Sequence, residues 1–136
     1  MANIKELLKT SKNTTALSVL KLAGRLVQKK DMEGYVVGGF VRDMLMGDSA
    51  NDVDIMVIGD GILFAKKLAK DLGVNKTIPF EKFGTARIPY NKIQIEVSSA
   101  RKEDYEAASR KPSKVQHTDL KGDLVRRDFT INAMAI

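Results

Sequence analysis

Cysteine and tryptophan are absent from this chain, and proline occurs only three times. Without cysteine there is no disulfide framework, no thiolate metal site and no cysteine nucleophile, which fits a reducing, cytoplasmic setting. Long apolar runs are missing too. A bilayer-spanning helix needs about 20 consecutive apolar residues, and the N-terminus has no signal-peptide core, so no membrane partner is expected. Aromatic residues make up 6% of the chain, too few for stacking on an aromatic platform to be the main mode of base recognition. What remains is a chain of 136 residues, 43% hydrophobic and 29% charged, long enough for one domain with a real core. Its net charge of +6 favours polyanionic partners, nucleic acid first.

The richest stretch is Tyr35 to Gly59, YVVGGFVRDMLMGDSANDVDIMVIG. Tyr35, Val36 and Val37 read as a short strand, and Gly38-Gly39 as a tight turn permitting close approach to a ligand. Phe40 to Met46 reads as a helix stopped by Gly47. Such a turn feeding a helix N-terminus offers unpaired N–H groups and a positive dipole end, which suit phosphate. A second strand, Asp52 to Ile58, then opens with Asp-Val-Asp. Residues two apart on a strand share a face, so the Asp52 and Asp54 carboxylates stand side by side. They repel unless a cation separates them, and hard oxygen ligands suit magnesium. Each fragment alone is commonly a plain turn or a polar strand start. In this order, a phosphate cradle beside a divalent-metal site points to phosphoryl or nucleotidyl transfer.

Around that stretch the periodicity predicts a packing helix over about 13–30, with Leu17, Leu20, Ala23 or Gly24, and Val27 as its apolar stripe. An earlier apolar set, Ile4, Leu7 and Leu8, also has helical spacing. A second helix is expected from Ile62 to Leu72, ended by Gly73, with Lys66, Lys67 and Lys70 on its outer side. Val74 to Pro79 and Gly84 to Pro89 are short β-type runs, and Ile93 to Ser99 is a clear strand after a Tyr90-Asn91-Lys92 turn. In that strand Ile93, Ile95 and Val97 face one way, and Gln94, Glu96 and Ser98 the other. By pattern alone Glu96 is either a third metal-binding carboxylate near Asp52 and Asp54 or an exposed strand glutamate. Residues 101–122 read as a long, flexible polar loop with a helical turn around Asp104 to Ser109. His117, inside it, is given no catalytic role. The final stretch starts as a helical turn at Asp123 and becomes an apolar strand. It carries Arg126, Arg127, Asp128, Thr130 and Asn132, and arginine forks suit a triphosphate.

Four blocks, GGFVRD, DVDI, IEVSSARKEDY and LVRRDFTINAMAI, together resemble the signature blocks of the class II tRNA nucleotidyltransferases (CCA-adding enzymes) and the related bacterial poly(A) polymerases. The resemblance spans about Tyr35 to Ile136. It implies an α+β fold, the DNA polymerase β-like nucleotidyltransferase palm, with a mixed sheet of about five strands flanked by helices. By position, Gly38 and Gly39 match the triphosphate cradle, and Arg42 and Asp43 the polar pair that places phosphate and braces the turn. Asp52, Asp54 and Glu96 match the metal-binding, catalytic carboxylates. Arg101 falls at the start of the family's flexible loop, and Arg126, Arg127, Asp128 and Asn132 match the block associated with ribose and triphosphate. The implied activity is magnesium-dependent transfer of CMP and AMP from CTP and ATP to the 3′ end of tRNA. Two alternatives stand beside it: a poly(A) polymerase head, and a nucleotide- or RNA-binding module without turnover of its own. In the family this palm (residues 1–136 here) is only the head. A neck carrying the base-selecting template, then a body and tail, follow it, so the expected partners include those C-terminal segments or a second polypeptide.

Overall fold

The computed structural model describes residues 12–105, 112–127 and 133–136. The early set Ile4, Leu7 and Leu8 therefore lies outside the described residues. Helix α1, Thr14–Lys29, begins where expected: the Asn13 side chain accepts from the Ala16 N–H at 3.0 Å and donates to the Ala50 carbonyl at 2.8 Å. Its buried stripe is Ala16, Val19, Ala23 and Leu26, one residue round from the predicted one. The helix docks through small and branched side chains, while Leu20 and Val27 pack at the margin of the core.

Strand β1 (Gly34–Val36) leads through Gly38 into helix α2 (Gly39–Met46), which Gly47 ends in the left-handed conformation. Strand β2 (Asp52–Val57) follows, then helix α3 (Gly61–Asp71), capped by the Asp60 side chain on the Leu63 N–H. Strands β3 (Ile78–Phe80), β4 (Thr85–Tyr90) and β5 (Ile93–Ser99) complete a sheet of order β1-β2-β5-β4-β3. The pair β2/β5 is parallel and the other three pairs are antiparallel, so the sheet is mixed as predicted.

Alternation divides the sheet into two faces. Val53, Ile55 and Val57 of β2, Ala86 and Ile88 of β4, and Ile93, Ile95 and Val97 of β5 are buried in one core. Helix α3 lies across β4 and β5 and reaches β2, α1 packs on α3, and Phe40 and Met44 of α2 join the same cluster. Each valine, isoleucine, phenylalanine or methionine in the cluster contributes on the order of 1.5–3 kcal/mol. The opposite face carries a smaller buried cluster, Val37, Met56 and Ala100, beside the charged side chains.

The stretch 101–122 departs from the expected loop. Arg101–Tyr105 (β6) and Pro112–His117 (β7) pair antiparallel, from Arg101↔His117 to Tyr105↔Pro112, with a register irregularity at Asp104/Tyr105. Of the helical turn expected around Asp104 to Ser109, Asp104 and Tyr105 are strand, and residues 106–109 lie outside the described residues. The pairing rests on backbone hydrogen bonds, which need no apolar alternation to form. Helix α4 (Leu120–Val125) contacts β6. Residues 133–136 then return to β1: the Val36 N–H donates to the Ile136 carbonyl at 2.8 Å, and the Gly38 N–H to the Met134 carbonyl at 3.0 Å. The expected terminal strand is seen as this short antiparallel return, with one bridge at Val37↔Ala135.

Candidate active site

The polar face of the sheet is organised in rows fixed by strand register. One row runs Asp54 (β2), Glu96 (β5), Arg87 (β4); the next runs Asp52, Gln94, Pro89. Asp54 and Glu96 therefore stand side by side, because β2 and β5 run parallel at that level. Asp54 is half-buried, whereas Asp52, at the strand's start, is exposed.

A cavity of about 200 Å³ opens over Asp54 and Glu96, and its other charged walls are Arg101, Arg126 and Arg127. Five of the predicted site residues thus converge on one space. Asp52 instead borders an adjoining groove of about 420 Å³, with Arg87, Lys92 and Gln94. The Asp54 carboxyl is pushed up to about 6, first by burial, then by Glu96 and by Asp52, against the opposing pull of Arg127 and Arg87. Proton uptake and cation binding both relieve such crowding.

Among the described residues, no three His, Asp or Glu side chains are arranged as they stand to hold a metal ion. The Glu96 carboxylate is engaged elsewhere: Arg87 Nε donates to its Oε2 at 2.8 Å. The donor chemistry nonetheless fits a hard divalent cation, with three carboxylates in adjacent rows of one face and the middle one raised by its neighbours. Asp52, Asp54 and Glu96 are the residues that would hold it.

The glycine turn begins at the cavity's edge: Val37 lines the cavity, and Gly38 and Gly39 follow it without lining it. Gly38 has φ +68° and ψ −141°, a backbone state that favours glycine, and no side chain caps α2. The Gly38 N–H is spent on the Met134 carbonyl, so any phosphate contact must come from the first-turn amides that begin at Gly39. Arg42 Nε donates to its neighbour Asp43 Oδ1 at 2.7 Å, which steadies the guanidinium over the turn. The predicted positions Asp128 and Asn132 lie outside the described residues.

One organising residue escaped the sequence reading. Asp123 is fully buried, and its carboxylate accepts from the Arg101 backbone N–H at 3.1 Å, from Arg126 Nε at 3.0 Å and from Arg127 Nη2 at 2.9 Å. It anchors the start of β6 and two of the three arginines of the cavity wall, Arg126 and Arg127. The available signal was spacing: an acid three and four residues before an arginine pair at a helix end. Arg127 Nε is buried with no hydrogen-bond partner among the described residues. Arg101 is fixed further by Nη1 donating to the Phe83 carbonyl at 3.0 Å and by lying 5.4 Å from the Phe83 ring centre.

A mixed sheet flanked by helices, with this carboxylate row on its open face, is a DNA polymerase β-like nucleotidyltransferase fold. Residues 34–136 match the family described as the Poly A polymerase head domain, and the chain belongs to that family. It is 50% identical over 105 residues to an A-adding tRNA nucleotidyltransferase of Aquifex aeolicus, covering 77% of this chain and 12% of that protein. It is 36% identical over 135 residues to an A-adding tRNA nucleotidyltransferase of Halalkalibacterium halodurans, covering 98% of this chain and 31% of the relative. Among solved structures it is similar to a CCA-adding enzyme in an apo form, with TM-score 0.85 and 36% identity, covering 99% of this chain and 32% of that one. It is also similar to a tRNA nucleotidyltransferase complexed with a primer tRNA and an incoming ATP analog, with TM-score 0.68 and 46% identity, covering 84% and 30%. The chain thus spans about a third or less of each of these relatives.

Proposed function

We propose that this chain is the catalytic head of a tRNA nucleotidyltransferase, which transfers a nucleoside monophosphate from its triphosphate to the 3′ end of tRNA. The observation that carries the reading is the half-buried Asp54, beside Glu96, facing Arg126 and Arg127 across one cavity. Carboxylates on one wall and guanidinium groups on the other suit a metal-bound triphosphate. Magnesium, held by Asp52, Asp54 and Glu96, would lower the pKa of the attacking hydroxyl and offset charge on the phosphates.

The chain's own residues then bind and orient. Arg126 and Arg127, locked by Asp123, present guanidinium forks to phosphate oxygens without reorganising. The α2 first-turn amides and Arg42 neutralise the rest of the triphosphate, and Asp128 and Asn132 are assigned to ribose and triphosphate by their positions in the family block. The RNA 3′-oxygen bonds to the α-phosphorus as the bond to the pyrophosphate oxygen breaks in line, and the hydroxyl proton is lost to solvent.

ATP is the first nucleotide to test, since the relatives at 50%, 41% and 36% identity bear the name A-adding. CTP stands beside it through the CCA-adding relatives at 35–38%. A second reading, a nucleotide-binding head inactive without further segments, is favoured by the small share of each relative that the chain spans.

The test incubates the chain with magnesium, each labelled triphosphate, and tRNA ending either before CCA or after CC. Asp54→Ala serves as control, and an unstructured RNA probes poly(A) addition. AMP added to the CC-ended tRNA, and abolished in the control, supports the assignment. Turnover retained by Asp54→Ala would sink the carboxylate roles. Magnesium-dependent triphosphate binding without product would favour the inactive-head reading.

A further inference from the structure

The contact between Arg87 and Glu96 lies outside every role assigned so far. Glu96 sits on β5, between Asp54 on β2 and Arg87 on β4, in a single cross-sheet row. Its Oε2 accepts from Arg87 Nε at 2.8 Å, which draws the carboxylate toward β4 and away from the strand that carries the other two acids. Arg87 in turn leans outward, its guanidinium carbon 5.3 Å from the Phe80 ring centre on the edge strand β3. In the same arrangement no three carboxylates are gathered to hold a metal among the described residues.

We infer that Arg87 is a positioning residue that competes with the divalent cation for Glu96, and that exchange of this ion pair completes the three-carboxylate site. The inference rests on the proposed nucleotidyltransferase reading. Arg87 supplies Glu96 with a positive charge from the protein itself, which eases the crowding of the acids without removing it. The pair is suited to exchange, because both side chains are substantially exposed, at 46% and 38%. Exposed pairs are weak, so a cation can displace the guanidinium at small cost. Once released, Arg87 keeps its seat against Phe80 and borders the groove beside Asp52.

The test measures binding of manganese, a paramagnetic stand-in for magnesium, by titration followed by electron paramagnetic resonance. Circular dichroism checks that each variant is folded. Arg87→Ala should bind the ion about two- to fivefold more tightly than the parent, the range an exposed pair can contribute. Lys92→Ala removes a positive charge from the same groove without touching Glu96, and it should change affinity less. Arg87→Lys should stay near the parent. In a double-mutant cycle, Arg87→Ala should gain nothing on a Glu96→Gln background. Unchanged or weaker binding in Arg87→Ala overturns the inference, because Arg87 would then present the free Glu96 oxygen to the metal. Equal gains from Arg87→Ala and Lys92→Ala overturn it as well, leaving only general repulsion. If the parent binds no manganese in a manner that Asp54→Ala abolishes, the carboxylate assignment itself fails and this inference fails with it.

Discussion

At the residue scale, the site is a problem of charge placed on a half-buried strand. Asp54 titrates near 6 instead of 3.8, so the folded chain holds its proton more tightly than the unfolded chain does. Metal-free stability should therefore fall as pH rises from about 4 through 6 and level off above. Asp54→Asn removes that dependence. Its melting temperature should equal the parent's at pH 4 and exceed it at pH 7 in the presence of EDTA, with the gap narrowing when magnesium is added. Asp123 has the opposite character, a fully buried carboxylate whose bonds are all made. Asp123→Ala would remove the buried carboxylate that Arg126 and Arg127 share, at a cost of about 3–5 kcal/mol. Urea denaturation measures that loss, and Asp123→Asn, which keeps an acceptor oxygen, should lose less. A nucleotide titration of the folded fraction should show weaker triphosphate binding in both.

At the element scale, the helix–sheet contact is set by one close approach. A Cβ on Gly61 would fall 2.6 Å from the Ser99 backbone nitrogen, and the Gly61 N–H donates to Ser99 Oγ at 2.9 Å. Gly61→Ala should push α3 off β5 and lower the melting temperature. Gly24→Ala, in exposed mid-helix with nothing within 4 Å, should raise stability by roughly 0.5–1 kcal/mol. Calorimetry on the two variants should give shifts of opposite sign. Elements with apolar alternation or a glycine stop were legible: α2 ends at Gly47 and β5 spans Ile93 to Ser99, as their patterns predict. The hairpin β6/β7 was not, because its polar sequence carries no face to bury and its pairing rests on backbone bonds. What was legible was placement: Asp54 and Glu96 each fall on the polar side of an alternating strand, and the sheet brings them side by side. The site was hidden where a role depends on a partner distant in sequence: Arg87 acquires meaning only once β4 lies beside β5. Asp123 was missed because an acid before two arginines reads as ordinary helix polarity until its complete burial is seen.

At the scale of the whole molecule, a net charge of +6 favours a polyanionic partner, and the proposed tRNA substrate is one. RNA affinity should drop steeply between about 50 and 200 mM salt. Triphosphate binding in the cavity, where the charges are partly buried, should drop less. Fluorescence anisotropy with a labelled RNA and a labelled ATP separates the two, and equal slopes would contradict a cavity-held triphosphate. The one parallel strand pair has a consequence of another kind. β2 and β5 can meet only after the chain has laid down α3, β3 and β4 between them, a long loop to close before any contact rewards it. Asp54 and Glu96, far apart in the chain, are neighbours only through this central pairing. The carboxylate row thus exists only where that long-range pairing has formed, and loosening β2 from β5 would take the row apart.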